Sequence, residues 1–200
     1  MTNGKRKVVL GITGASGVIY GLRALTKLAN IVDEIYVIAS KNVPAVMGIE
    51  LPGSAKSIEE FVLTLKYPRA NIHICDPASY FESPASGSFF HSGMLVAPCS
   101  MGTLGRIASG VSDDLMCRAA DVCLKERRKL VLMARETPLS LIHLRNMVTV
   151  TEAGAVVLPA VPSFYHPADT MDELVDTVVN RAIMQLGFEQ VGREWMQDRL

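Results

Sequence analysis

Short β-branched apolar runs alternate along this chain with longer stretches whose apolar positions recur every three to four residues. The first kind predicts strands at 7–12, 34–39, 72–75, 93–97, 130–134 and 156–158. The second predicts helices at 17–28, 42–49, 57–65, 103–109, 115–126, 139–152 and 171–186. Regular alternation of this sort implies an α/β fold: a doubly wound parallel sheet with helices on both faces, three layers in all. Segments 77–92 and 159–169 read as loops, and the second holds three prolines and two aromatics, more than a plain connector needs. In such folds ligands bind beyond the carboxyl ends of the strands. That rule directs attention to 14–17, Ser40, 98–103 and 135–138.

Composition narrows the function classes. Two hundred residues suit one domain, expected to span 1–200, with the helix and tail at 171–200 packing on neighbouring subunits. Twenty acidic and twenty basic side chains balance, which argues against nucleic acid as a partner. The chain is 49% hydrophobic but only 6% aromatic, so an apolar surplus is left for burial between subunits, and a homo-oligomer is expected. The longest apolar stretches, 94–98 and 153–162, fall short of the roughly 20 residues a membrane span requires. Lys5-Arg6-Lys7 before an apolar run mimics a signal peptide, but glycines end that run and no cleavage site follows. Cys75, Cys99, Cys117 and Cys123 show no C-x-x-C pairing, nor do the four histidines cluster. Free thiols in the cytoplasm and no metal site are the expectation.

Gly11-Ile12-Thr13-Gly14-Ala15-Ser16-Gly17 carries the strongest chemical signal. A strand that breaks into glycines and opens a helix presents free N–H groups to an anion, and Ser16 can cap the helix or bind a phosphate oxygen. An ordinary capped turn has the same look. The spacing is G-x-x-G-x-x-G, not the dinucleotide G-x-G-x-x-G, and the second strand ends in Ser40 rather than an acid. A mononucleotide is therefore favoured over NAD. Pro98-Cys99-Ser100-Met101-Gly102-Thr103 forms a second strand-to-helix turn, placed to hold the other end of one ligand or to be a plain helix cap.

Arg118 and Lys125 are seven residues apart on one predicted helix, within roughly 20° of each other, and together suit a phosphate. A solvated charged face explains Lys125 equally well. Arg135-Glu136-Thr137-Pro138 directly follows a strand, where Glu136 suits a general acid or base and Arg135 an anion clamp. Glu50 is another placed acid. Tyr165 is positioned to close an apolar pocket, and Arg181, set in sequence among Val178, Val179, Ala182 and Ile183, invites an anionic partner or a subunit salt bridge.

Taken in order, Thr13-Gly14-Ala15-Ser16-Gly17, Pro98-Cys99-Ser100, Arg118-Ala119-Ala120-Asp121-Val122, Lys125-Glu126-Arg127-Arg128, Arg135-Glu136-Thr137-Pro138 and Phe164-Tyr165-His166 form a set. Over about 7–186 the chain resembles the UbiX-like flavin prenyltransferases. That resemblance implies a flavodoxin-like, Rossmann-like subunit of a homododecamer, joining a dimethylallyl group to reduced FMN without a metal. The implied product, prenylated FMN, serves UbiD-type decarboxylases. It implies FMN contacts by Gly14, Ala15, Ser16, Ser40, Ser100, Met101, Gly102, Thr103, Arg118 and Arg135, with Met101 acting through its backbone. Lys125, Arg135, Tyr165 and Arg181 would gather dimethylallyl phosphate, partly across a subunit boundary. Glu136, Lys125 and Glu50 would be catalytic. Segment 51–83 matches less well, and Tyr80 and Trp195 are left as possible aromatic contributors. An FMN-dependent decarboxylase of the same fold and a non-catalytic FMN-binding subunit are the alternatives.

Overall fold

The computed structural model describes residues 5–66, 68–165 and 168–188. His166, Trp195 and the tail from 189 onward lie outside these. Six strands, β1 (Lys7–Ile12), β2 (Glu34–Ala39), β3 (Asn71–Cys75), β4 (Gly93–Cys99), β5 (Lys129–Ala134) and β6 (Val156–Pro159), form one sheet. Every pairing is parallel and the order is β3-β2-β1-β4-β5-β6. Strand β1 is fully paired with β2 from Lys7↔Glu34 to Ile12↔Ala39, whereas its ladder with β4 ends at Gly11↔Val96. Connections run outward from β1 in one direction and from β4 in the other. The crevice between these two strands is therefore the topological switch point.

Two cores flank the sheet because neighbouring strand residues point to opposite faces. Val8, Leu10 and Ile12 pack against α1 (Val18–Ile31), α2 (Val43–Glu50), α3 (Ile58–Thr64) and α7 (Met171–Gln185). Val9, Met94 and Val96 pack against α4 (Met101–Ala108) and α5 (Leu115–Lys125), with Val150 of α6 (Leu141–Glu152) at the margin. All four thiols are buried, and burial pushes each up to about 12, so they serve as small apolar core groups.

Predicted and observed elements agree closely, with two instructive differences. Strand β4 continues through Pro98 to Cys99, because Cys99 still accepts the Arg135 amide (3.1 Å). Helix α6 starts at Leu141 rather than 139, after Ser140 forms a capping box with His143.

Helices α5 and α6 use their apolar residues differently. Helix α5 buries Leu115, Met116, Cys117, Ala119, Ala120, Val122 and Cys123. Helix α6 buries only Val150 and leaves Leu141 (61% exposed), Ile142 (68%) and Val148 (57%) on the surface. An open groove of about 480 Å³ runs along it, lined by Leu141, Leu144, Arg145, Val148 and Thr149. Among the described residues, no helix is long and apolar enough to cross a membrane.

Candidate active site

Thr13 joins the two turns at the switch point. Its hydroxyl donates to the Pro98 carbonyl (2.7 Å) and accepts from the Ser100 amide (3.1 Å) and, at 3.4 Å, the Ala15 amide. Gly14 brings this turn against the next one, since a Cβ there would stand 2.8 Å from Asn42 Cβ. Ser40 is held in register by its amide on the Ile12 carbonyl (2.9 Å). Ser100 caps α4 by accepting the Thr103 amide (3.2 Å), and its hydroxyl meets that of Thr103 at 3.1 Å.

Gly17, at φ 93°, is the residue from which α1 starts, and no side chain of its own caps that helix. Instead Glu50, at the end of α2, accepts from the Gly17 amide at 2.9 Å and the Val18 amide at 3.0 Å. The first helical N–H groups, expected from the sequence to face a ligand anion, are thus occupied by a carboxylate. A negative group at a helix N-terminus is also favoured by the helix dipole. Ser16 does not cap α1; it is exposed. Glu50, expected to be catalytic, is a structural cap in this state. The amides of Gly14 and Ser16 have no protein partner among the described residues.

Arg135 leaves β5 at the same end of the sheet and lies half-buried, its Cγ 3.9 Å from the position a Gly17 Cβ would take. No carboxylate pairs with it among the described residues. Glu136 is exposed beside it, and one of its own oxygens accepts the Thr137 amide (3.0 Å). Tyr20 was not anticipated from sequence. Its ring underlies Gly17 and its hydroxyl reaches toward the Ala160 carbonyl at 3.5 Å. Burial raises its pKa, and the Arg135 charge opposes that rise. Only its spacing four residues before Ala24 marks it in the sequence, a mark shared with any core position.

The remaining candidate residues are placed as follows. Met101 is buried in the core, which leaves only its backbone for a ligand, and Gly102 beside it is exposed. Thr103 is 5% exposed and its oxygen also accepts from Arg106 (3.4 Å), so the hydroxyl is engaged within the protein. Arg118 donates to the Ala85 carbonyl (3.1 Å) and to Asp121 (2.7 Å). Lys125 pairs with Glu126 and sits on the loop at Gly87, 2.6 Å from where a Cβ would be. That loop is fixed at the amino end of the sheet, where Arg128 grips the Gly87 and Phe89 carbonyls (2.6 and 2.7 Å). Lys125 is thus separated from Glu136 by the length of β5, about 20 Å.

Arg181 was expected in an apolar setting, but it is exposed, because α7 turns the opposite stripe of Val175, Val178, Val179, Ala182 and Ile183 inward. Tyr165 is 72% exposed on the loop that follows β6. Tyr80 anchors its own loop by donating to the Ser112 carbonyl (2.9 Å). Asp113, Asp114 and Cys117 lie close enough together to suggest a metal, but Arg106 pairs with both acids and the thiol is strongly disfavoured as thiolate.

A parallel sheet with small, hydroxyl-rich turns at its switch point and a cation at the next strand end is the arrangement of a nucleotide-binding α/β protein. The Flavoprotein family model matches residues 1–183. The chain is 42% identical over 193 residues to flavin prenyltransferase UbiX of Pseudomonas aeruginosa, covering 94% of this chain and 92% of that one. It belongs to the UbiX flavin prenyltransferase family. Its structure is similar to that of AnUbiX (PadA1) in complex with FMN and dimethylallyl pyrophosphate, at TM-score 0.86 and 39% identity, covering 96% of this chain and 100% of that one. It is also similar to a dodecameric FMN-dependent UbiX-like decarboxylase from Escherichia coli O157:H7, at TM-score 0.84 and 38% identity over 94% of this chain and 99% of that one.

Proposed function

We propose that this chain, as one flavoprotein domain, transfers a dimethylallyl group from an allylic phosphate ester to reduced FMN. The observation that carries this reading is the cradle at the switch point: two turns stapled by Thr13, facing a half-buried Arg135 with Glu136 beside it. The residues suit FMN. Gly14, Ala15 and Ser16, with Ser40 against them, on one side and Ser100, Met101 and Gly102 on the other give a small-residue wall with backbone amides, and no acid follows β2 to select a dinucleotide ribose. Thr103 acts there by shaping the Ser100 turn. Reduced FMN, when bound, supplies the electron-rich ring that receives the allyl group.

The chain's own groups have distinct tasks. Arg135 holds negative charge at the strand end, and Glu136 holds or moves a proton near the departing phosphate. Separation of an allylic phosphate needs further fixed cations. Lys125, Arg118 and Arg181 suit this role when presented by neighbouring subunits, because within one chain they lie away from Glu136. Tyr165 shields the apolar allyl group. Glu50 acts by fixing the glycine turn. A homo-oligomer, dodecameric like the E. coli relative, supplies those neighbours, and the apolar face of α6 and the segment 171–200 supply contact area. The product is suited to a UbiD-type decarboxylase, and the four free thiols suit the cytoplasm.

Anaerobic incubation with reduced FMN and dimethylallyl phosphate or diphosphate tests the reading. The expected result is a flavin heavier by one dimethylallyl unit. A bound flavin of unchanged mass with both esters overturns it. Because the E. coli relative is named a decarboxylase, loss of CO₂ from a carboxylic substrate is the second reaction to assay in the same preparation.

A further inference from the structure

The β1–β4 ladder stops at Gly11↔Val96, two residues before the turns that form the cradle. Beyond that point regular pairing is interrupted, since Pro98 has no N–H to donate. Thr13 takes over the connection. Its amide (3.3 Å) and hydroxyl (2.7 Å) both donate to the Pro98 carbonyl, and its oxygen then receives the Ser100 and Ala15 amides. One side chain therefore ties the turn after β1 to the turn after β4. It is 2% exposed, so it touches no ligand itself.

We propose that Thr13 is a positioning residue for FMN: its hydroxyl sets the separation of the turns at 14–16 and 100–102 and so the width of the flavin cradle. The proposal rests on the flavin reading above. The geometry is specific to a hydroxyl on the β-carbon, which serine shares and valine lacks. An isosteric methyl leaves the Ser100 amide without its acceptor and the Pro98 carbonyl with the Thr13 amide alone, and the turns separate to recover partners. Ser100 is affected most, because its backbone is held by Thr13 while its side chain caps α4. Displacement there moves the start of the helix and the exposed Gly102 together.

Fluorescence titration with oxidised FMN, on the parent and on Thr13→Val and Thr13→Ser, tests the assignment. Thr13→Val is expected to weaken FMN binding by about tenfold or more and to alter the vibronic shape of the bound-flavin absorption band, while Thr13→Ser restores both. A general loss of stability would not be reversed by serine in the spectrum of the bound flavin. A folded Thr13→Val protein with parental affinity and spectrum overturns the proposal, as does equal weakening in Thr13→Ser. Should valine prevent folding, Thr13→Ala carries the same expectation, and parental binding by that variant overturns it. Failure of the parent to bind FMN overturns the flavin reading and this proposal together, whereas parental binding with an indifferent Thr13 overturns this proposal alone.

Discussion

The two ends of the sheet treat charge in opposite ways. At the amino end, charges are neutralised within the chain: Glu34 with Lys5 (2.9 Å) and Lys7 (3.3 Å), Asp33 with Arg69 (3.1 Å), Lys125 with Glu126. At the carboxyl end, Arg135 and Glu136 have no such partners among the described residues and stand beside a pair of open turns. On the reading proposed above, one chain supplies the flavin turns but not the full set of cations an allylic phosphate needs. Lys125, paired with Glu126, lies at the amino end of its own sheet and would serve the cradle of a neighbouring subunit. The exposed apolar face of α6 would then be contact area in such an assembly.

Lys125→Ala offers the largest effect. Flavin binding should persist, while prenyl transfer should fall by about a hundredfold or more, as for loss of a fixed charge that stabilises a developing anion. Mixed oligomers of Lys125→Ala and Glu136→Gln subunits should then regain activity, since about a quarter of randomly assembled sites combine both native residues. No recovery on mixing would place both residues at one chain's site and remove the contrast between the ends. Glu136→Gln alone should keep flavin affinity and slow transfer by about a hundredfold in single-turnover assays, consistent with lost proton handling; an unchanged rate removes it from the chemistry.

Smaller effects sharpen the contrast. Leu144→Glu on α6 should move the size-exclusion peak to smaller species and cut specific activity by about tenfold, with the circular dichroism spectrum retained, because a charge cannot enter an apolar interface unpaired. Arg181→Ala should raise the half-saturating concentration of allylic phosphate by about tenfold through loss of a charge-assisted contact, leaving flavin affinity alone. Glu34→Gln should matter only for stability. The Lys5 ammonium, with Tyr36 and Lys7, holds the Glu34 carboxyl down at about 2 from its ordinary 4.5, against the opposing effect of burial. Its stabilisation is therefore present above pH 4.5 and lost as the pH falls through about 2. Exposed Lys5 limits the difference to on the order of 1 kcal/mol. Thermal melts should show parent and Glu34→Gln converging over that window; parallel curves would mean that the pair contributes nothing.

Much of the fold was legible because strand and helix periods differ so plainly here: 7–12 and 34–39 are the bounds of β1 and β2. Less was legible about the site. Nothing in the sequence links Glu50 to Gly17, thirty-three residues away, because a cap from another helix depends on packing. Arg181 was misjudged by adjacency. At 100° per residue it lies about 130° from the centre of the buried stripe, so its apolar sequence neighbours are not its spatial ones. Lys125 was read as sharing a helix face with Arg118, but helix spacing on one element cannot say which end of a sheet that element's last turn adjoins. The exposed leucines of α6 were visible only as a general apolar excess, since composition does not say which face remains uncovered.

Glu50 has a further consequence, for release. Its carboxylate already satisfies the first amides of α1, so an arriving flavin need not organise that helix end and gains nothing from doing so. An open helix end would hold its occupant by its own unmet demand. Here the Gly17 and Val18 amides have their acceptor within the protein, so departure of a ligand exposes no unmet donor at that helix end. A protein that modifies a flavin is better served by a helix end whose order does not depend on that flavin. Residence time, more than affinity, is the property this carboxylate would set.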